Sequence, residues 1–216
     1  MIVSMWMTRS VVTIGPHAPV TEAAELMALK RVRRLPVVEP GPNGGHLVGI
    51  VSAKDVLHAF PPEVNPFAVI APDSRRNPGT VAHIMSRELQ TTTPDTPVEQ
   101  AAELMARKKI GALPVLRDGK LVGLITKSDI FRAFLSFLAP ADRGARITFD
   151  VSSGEDVFVW LGRAARRRKV RVLNLILSQQ ENVPVCVVRV TGAAVEELLE
   201  DIWNSGHHVL NVIRFD

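Results

Sequence analysis

The sequence predicts an α/β protein of the mixed α+β kind: a duplicated β-α-β-β-α unit followed by a separate β-α-β-β-α-β sandwich. Three observations carry this expectation. Trp6 to Val38 aligns without a gap with Ile84 to Leu116 at an offset of 78 residues, and sixteen of the 33 positions are identical. After four extra residues in the first copy the match resumes, His46-Leu-Val-Gly-Ile-Val-Ser-Ala-Lys-Asp55 against Lys120-Leu-Val-Gly-Leu-Ile-Thr-Lys-Ser-Asp129. Beyond Pro140 the pattern changes and no third copy follows. A repeat of this size usually buries its apolar face against its twin, so the duplication predicts a pseudo-two-fold pair with two equivalent sites.

Each copy reads in the same order. A short extended stretch, Val11 to Ile14 or Leu89 to Thr93, leads through proline to Thr21 or Glu99. A helix follows, with Val20, Ala23, Ala24 and Met27, then Val98, Ala101, Ala102 and Met105, spaced for one apolar face. Two strands come next: Leu35 to Val38 with Leu47 to Val51, and Leu113 to Leu116 with Leu121 to Ile125. Pro40-Gly-Pro-Asn-Gly-Gly45 joins the first pair and the tight Arg117-Asp-Gly119 turn joins the second. A second helix opens after Ser52 or Thr126. The repeats are expected at residues 1–60 and 81–138. Residues 61–80, with five prolines and no sustained period, read as a connector of turn or polyproline character.

The last part, residues 145–216, has another order. Arg146 to Val151, Val170 to Leu177, Val183 to Val190 and Val209 to Phe215 read as strands. Glu155 to Arg168 and Ala193 to Asn204 read as helices, the second ended by Gly206. This β-α-β-β-α-β order is that of the ferredoxin-like sandwich.

Composition narrows the classes. At 46% apolar and 22% charged residues, the chain fits a globular protein and not a disordered one. The apolar run Phe134 to Ala139 is too short to span a bilayer, and MIVSMWMTRS lacks the basic leader and apolar core of a secretory signal. Cys186, the only cysteine, sits in an apolar strand-like run and reads as a packing residue in a reducing compartment. Together these point to the cytoplasm. A net charge of +4 is too mild and too interrupted by acidic stretches to argue for nucleic acid.

The strand-turn-helix sequences Ser52-Ala-Lys-Asp55 and Thr126-Lys-Ser128-Asp129 carry the most chemistry. A hydroxyl at a helix start, beside free backbone N–H groups, is an anion site. A carboxylate three residues on can accept two hydrogen bonds from vicinal ribose hydroxyls. The same Ser/Thr-x-x-Asp pattern is equally a capping box, and the residues alone leave both readings open.

Arg-Arg-Leu-Pro-Val-Val and Gly-Ala-Leu-Pro-Val-Leu, each followed by Leu-Val-Gly-(Ile/Leu)-(Val/Ile)-(Ser/Thr)-x-x-Asp, resemble the CBS domain, which occurs as a tandem pair or Bateman module. The resemblance covers roughly residues 1 to 138. It implies serine or threonine at phosphate and aspartate at ribose, hence Ser52, Asp55, Thr126, Ser128 and Asp129. It also implies that backbone and apolar side chains before each Leu-Pro-Val hold an adenine. That maps onto Val32, Arg33, Arg34 and Pro36, and onto Ile110, Gly111, Ala112 and Pro114. The opening strands add Val12 and Thr13, and Gln90 and Thr91. The copies differ: Arg33 and Arg34 suit polyphosphate, whereas Gly111-Ala112 offers backbone and space. Both arginines are also open to a reading as solvated surface charge. By element order alone the C-terminal part is similar to an ACT-type domain. The whole arrangement is similar to acetoin-utilisation-type CBS proteins.

Other patterns argue for less. His207-His208 opens a strand, where neighbours point to opposite faces, so the pair makes a poor chelate. The glycine-rich Gly41 to Gly45 loop leads into a strand and is not a phosphate cradle. No Gly-x-Ser-x-Gly elbow or placed base supports nucleophilic catalysis. Arg163 and Arg166 to Lys169 lie at a helix end, where cations are stabilising, and the sheet lacks the aromatics of an RNA-binding face. Ser152-Ser-Gly154 fits either an amino-acid-binding loop of the ACT type or a plain turn. The expectation is a non-enzymatic regulatory sensor of AMP, ADP or ATP, with no required cofactor and no membrane association. It is expected to form a homodimer and to act on an unidentified regulated protein. A purely structural oligomerisation module is the competing reading, and a nucleic-acid binder trails both.

Overall fold

Residues 1–41, 45–61, 65–67, 78–138, 143–152, 156–180 and 182–215 are described by a computed structural model of the chain. They divide into two compact units, Met1–Ala133 and Phe134–Asp216. The connector expected at 61–80 lies largely outside the described residues, as do the tips of the loops at 41–45 and 152–154.

In the first unit each copy is a helix, a two-stranded antiparallel hairpin and a second helix. The first copy comprises α1 (Val20–Lys30), β1 (Arg34–Glu39), β2 (His46–Ser52) and α2 (Ala53–Ala59). The second copy, after the short α3 (Val81–Ile84), comprises α4 (Val98–Arg107), β3 (Ala112–Arg117), β4 (Lys120–Thr126) and α5 (Lys127–Leu138). The expected apolar stripe is the buried one: Val20, Ala23, Ala24 and Met27 on α1, and Val98, Ala101 and Met105 on α4, are each at most 2% exposed. The β3–β4 turn is the two-residue kind that requires positive φ at both centres, with Asp118 at 51° and Gly119 at 75°. The opening strands expected at 11–14 and 89–93 are not strands. Each shrinks to one parallel bridge, Ile14 to Val37 and Thr92 to Val115, since only a single residue of each segment exchanges backbone bonds with the free edge of the hairpin.

The two copies are tied by exchange of their lead-in segments. Residues before the second copy bond to the first: Val20 N–H donates to Gly79 C=O, Val81 N–H to Ala18 C=O, and Ile50 and Ser86 exchange both bonds at 3.1 and 2.9 Å. Residues at the start of the chain bond to the second: Val98 N–H donates to Met1 C=O, Val3 N–H to Thr96 C=O, and Thr8 and Leu124 exchange both bonds at 2.9 Å. The side chains follow. Val81 and Met85 complete the core of the first copy, and Val3, with Met1, Trp6 and Met7 packed against it, completes that of the second. Where the segments cross the hairpins the backbones approach closely over a glycine. A Cβ on Gly49 would lie 2.5 Å from Met85 Sδ, and one on Gly123 2.5 Å from Met7 Sδ.

The second unit runs β5 (Gly144–Asp150), α6 (Val157–Arg168), β6 (Arg171–Gln180), β7 (Val183–Thr191), α7 (Val195–Asn204) and β8 (Val209–Phe215). Its sheet order is β6-β7-β5-β8 with every pairing antiparallel, the ferredoxin-like arrangement. Ile147, Phe149, Cys186 and Val188 face a core completed by Leu161 on α6 and Leu198 and Ile202 on α7. Burial pushes the Cys186 thiol up to about 12, so it stays a neutral packing group. His207 is buried against Phe149 and Trp160, with ring centroids 5.4 and 5.3 Å away. The basic end of α6 is anchored: Arg168 makes a bidentate pair with Asp201 of α7 at 2.9 and 2.7 Å.

Two expected outcomes follow from this packing. Gly123→Ala should lower unfolding stability by about 1–3 kcal/mol through overpacking against Met7, read from the urea midpoint; an unchanged midpoint would mean that the segment does not sit on β4. In the second unit, hydrogen bonding from Arg168 holds the Asp201 carboxyl below its ordinary value. A carboxylate with a depressed folded pKa stabilises above its unfolded pKa and loses that contribution as pH falls through the folded one. Arg168→Gln should therefore be less stable than the parent at neutral pH, and the gap should close on acidification below the usual carboxylate range. A gap independent of pH would show that Arg168 acts through packing alone.

Candidate functional site

The helix starts that carry the Ser/Thr-x-x-Asp pattern form complete capping boxes. Asp55 Oδ2 accepts from Ser52 N–H at 2.8 Å and from Ser52 Oγ–H at 2.6 Å, while Asp55 N–H donates back to Ser52 Oγ at 3.3 Å. Thr126 and Asp129 repeat this at 2.8, 2.6 and 3.3 Å. A hydroxyl has one proton, and here each is given to its own aspartate. The remaining oxygens differ. Asp129 is 4% exposed and its Oδ1 accepts from Arg132. Asp55 is half-buried, and its Oδ1 has no hydrogen-bond partner among the described residues.

Between the two starts lies a cavity of about 510 Å³, within the range of small-molecule sites. Both turns open onto it: Ser52, Ala53 and Lys54 from the first copy, Thr126, Lys127 and Ser128 from the second. The first copy adds Ser10, Val11, Val12, Arg31, Val32, Arg33 and Arg34; the second adds Gly111 and Leu124, with Thr8 at the margin. Five of the lining side chains are cationic and none is acidic. Arg34 stands at the centre, half-buried and without an ion pair among the described residues. Burial, and then the neighbouring Arg33, push its guanidinium below the ordinary arginine value, with Asp55 pulling the other way. It leans across to the second copy, where a Cβ on Gly111 would overlap Arg34 Nη2. Arg33 is exposed on the same wall.

The backbone beside Arg33 is partly committed. Val32 N–H donates to Met27 C=O at 3.0 Å and Arg33 C=O accepts from Ala53 N–H at 2.9 Å. Val32 C=O and Arg33 N–H take no hydrogen bond among the described residues, an adjacent acceptor and donor suited to a heterocycle edge.

Of the residues singled out from sequence, Val12, Arg33, Arg34, Ser52, Gly111, Thr126 and Ser128 line this cavity. Asp55 and Asp129 sit one residue behind the lining. Pro36, Ala112 and Pro114 are buried in the hairpins, Ile110 packs beneath the second copy, and Thr13 is exposed. Thr91 lines a separate groove with Thr93, Thr96 and Gln100, and Gln90 lines neither. The sequence reading did not single out Arg31, Lys54 and Lys127. The last two occupy the x positions of Ser/Thr-x-x-Asp, which was their signal. Among the described residues no cluster of histidine, cysteine, aspartate or glutamate is placed to hold a metal, and no helix is long and apolar enough to cross a membrane.

Two α-β-β-α repeats that line one basic cleft define the class of fold, and the sequence names it. The chain belongs to the CBS domain family, whose sequence model matches residues 3–62 and 81–136. Among solved structures it is similar to the CBS domain pair of protein MJ0100 in complex with 5'-methylthioadenosine and S-adenosyl-L-methionine. Identity there is 27% and the TM-score 0.52, over 63% of this chain and 97% of that one. CBSX2 in complex with AMP is 30% identical with a TM-score of 0.52, over 64% and 98%. A Vibrio cholerae protein provisionally described as the acetoin utilization protein AcuB is 28% identical, again at 0.52, over 64% and 93%. Some curated relatives are far longer: a homoserine O-acetyltransferase of Methanohalobium evestigatum is 32% identical over 62% of this chain but only 24% of its own length.

Because the hydroxyls are committed to their caps, Ser52→Ala should cost about 1 kcal/mol of stability in chemical denaturation, and Thr126→Ala a similar amount. A neutral result at either position would show that the cap is dispensable there.

Proposed function

We propose that the protein is a non-enzymatic sensor that binds an adenine nucleotide (AMP, ADP or ATP) in the cleft of its CBS pair. The observation that carries this reading is the cavity: five cations, no carboxylate, and an apolar wall of Val11, Val12 and Val32 beside a free backbone acceptor and donor. A polyanion with a flat heterocycle complements that set. Support comes from relatives of the same family whose structures hold AMP or S-adenosyl-L-methionine. In this reading Asp55 Oδ1 takes the ribose, Arg33, Arg34 and Lys54 take phosphate, and Thr126 and Ser128 border them.

The repeats at 1–60 and 81–138 act as one cytoplasmic input module. The unit at 145–216, read as ACT-like from its strand order, passes the state to a partner or to a second copy of the chain. A homodimer fits the half-open sheet of that unit, where Leu177, Leu210 and Ile213 are 48, 45 and 36% exposed. The mechanism is a population shift: the ligand favours the arrangement of repeats that it binds more tightly. A second reading, a structural pair that binds nothing, is favoured at one point, the second copy's turn, where Asp129 is buried and held by Arg132.

A thermal-shift titration distinguishes the two. Adenine nucleotide should raise the melting temperature with the mass-action dependence of a native-state ligand, about 2.7 kcal/mol at a hundredfold excess over Kd. Asp55→Ala should abolish most of the shift. Flat melting curves with AMP, ADP and ATP up to millimolar concentrations would refute the sensor and leave the structural pair.

A further inference from the structure

We infer that the cleft takes one nucleotide per chain in one orientation, base and ribose on the first copy and phosphates reaching across to the second. This rests on the adenine-nucleotide reading above and refines it.

The duplication by itself predicts two equivalent sites, yet three independent asymmetries remove one of them. The apolar wall comes from one copy: Val11, Val12 and Val32 line the cavity, while their aligned counterparts Leu89, Gln90 and Ile110 do not. The carboxylates differ as well. Asp55 keeps Oδ1 unpartnered, whereas the same oxygen of buried Asp129 is held by Arg132, which stands where the first copy has His58. Finally, Arg34 reaches over Gly111, and its own counterpart in the second copy is the short, buried Ala112. The second copy thus gives the cavity Lys127, the Ser128 hydroxyl, the lone apolar side chain of Leu124 and a glycine seat for an arginine of the first. Apart from Leu124 these are groups suited to phosphate, without the three-valine wall of the first copy.

A second nucleotide in the mirrored pose would find one apolar side chain, Leu124, in place of three valines and no free carboxylate, and its phosphates would crowd the same cations. One ligand long enough to span the cleft satisfies both halves. The chemistry favours a nucleoside di- or triphosphate over a monophosphate or a nucleoside, because each added phosphate brings further anionic oxygens to the cations of both copies, Arg34 and Lys127 among them.

Calorimetry of the full chain with ATP, AMP and adenosine tests this. The expected stoichiometry is one per chain. Lys127→Ala should weaken ATP about ten-fold while leaving adenosine within about two-fold. Gly111→Ala displaces Arg34 and should do the same, and combined with Arg34→Ala it should add little. Val12→Asp should weaken every ligand, and Gln90→Asp none. Should Val12→Asp not fold, Asp55→Asn against Asp129→Asn reads the same asymmetry, with loss of affinity expected only in the first. Two ligands per chain, equal losses at the paired positions, or an unaltered ATP-to-adenosine ratio in Lys127→Ala would overturn the single-site inference while the sensor stands. No binding by the parent chain would overturn the sensor reading itself.

Discussion

The structure of the first unit depends on the exchange of lead-in segments between the two copies. Neither hairpin is complete alone. On its outer edge β2 leaves Ile50 N–H and C=O unpaired until Ser86 bonds to them, and β4 leaves those of Leu124 until Thr8 arrives from the start of the chain. Val3 and Val81, both fully buried, fill the core of the opposite copy, and burying such a side chain is worth about 1.5–3 kcal/mol relative to leaving it exposed. Separating the copies would expose both and break at least eight backbone bonds at once. The pair therefore behaves as one cooperative body, and its cleft follows from it: Thr8, at the end of one exchanged segment, stands at the cleft margin beside Leu124.

Much of this was legible. The hairpins fall where alternating apolar residues and the Asp118-Gly119 turn put them, and the second helix of each copy starts at the hydroxyl chosen as its cap, whereas α1 and α4 start after prolines. These features are local, set by periodicity and turn chemistry that act over a few residues. The exchanged segments were not legible. Val3–Met5 and Val81–Ile84 form only single turns of helix, too short to carry a period, and they are held by contacts tens of residues away in sequence. The opening strands failed for the converse reason: their alternation was right but only a single residue of each exchanges bonds with the hairpin edge. At the site, alignment made Gln90 the equal of Val12 and Ala112 the equal of Arg34. Only the fold shows that one of each pair reaches the cavity.

The Ser/Thr-x-x-Asp turns are folding devices that do not use all of their polar atoms. The cap consumes the hydroxyl proton and one carboxylate oxygen, leaving the second oxygen for another use. In the second copy Arg132 claims that oxygen; in the first His58 makes no such bond among the described residues. Duplication thus preserved the part of the motif that holds the helix start and let the remaining oxygen diverge. The core positions stayed apolar in both copies, because a polar substitution there is costly. The residues before the Leu-Pro-Val strands, free of that constraint, became Arg33-Arg34 in one copy and Gly111-Ala112 in the other.

A ligand can shift a conformational balance only by as much as it prefers one state over another. Contacts confined to one copy would be kept however the copies move, and would carry no preference. Arg34 is different, since its guanidinium belongs to the first copy and its seat over Gly111 to the second. Any anion that engages Arg34 together with Lys127 feels the relative position of both. Lys127 is also the first residue of α5, the helix that begins at the cleft and continues past Ala133 to Leu138, within the second unit. If the proposed contact of Lys127 with a ligand holds, the side chain that engages the ligand opens the helix that runs out of the first unit.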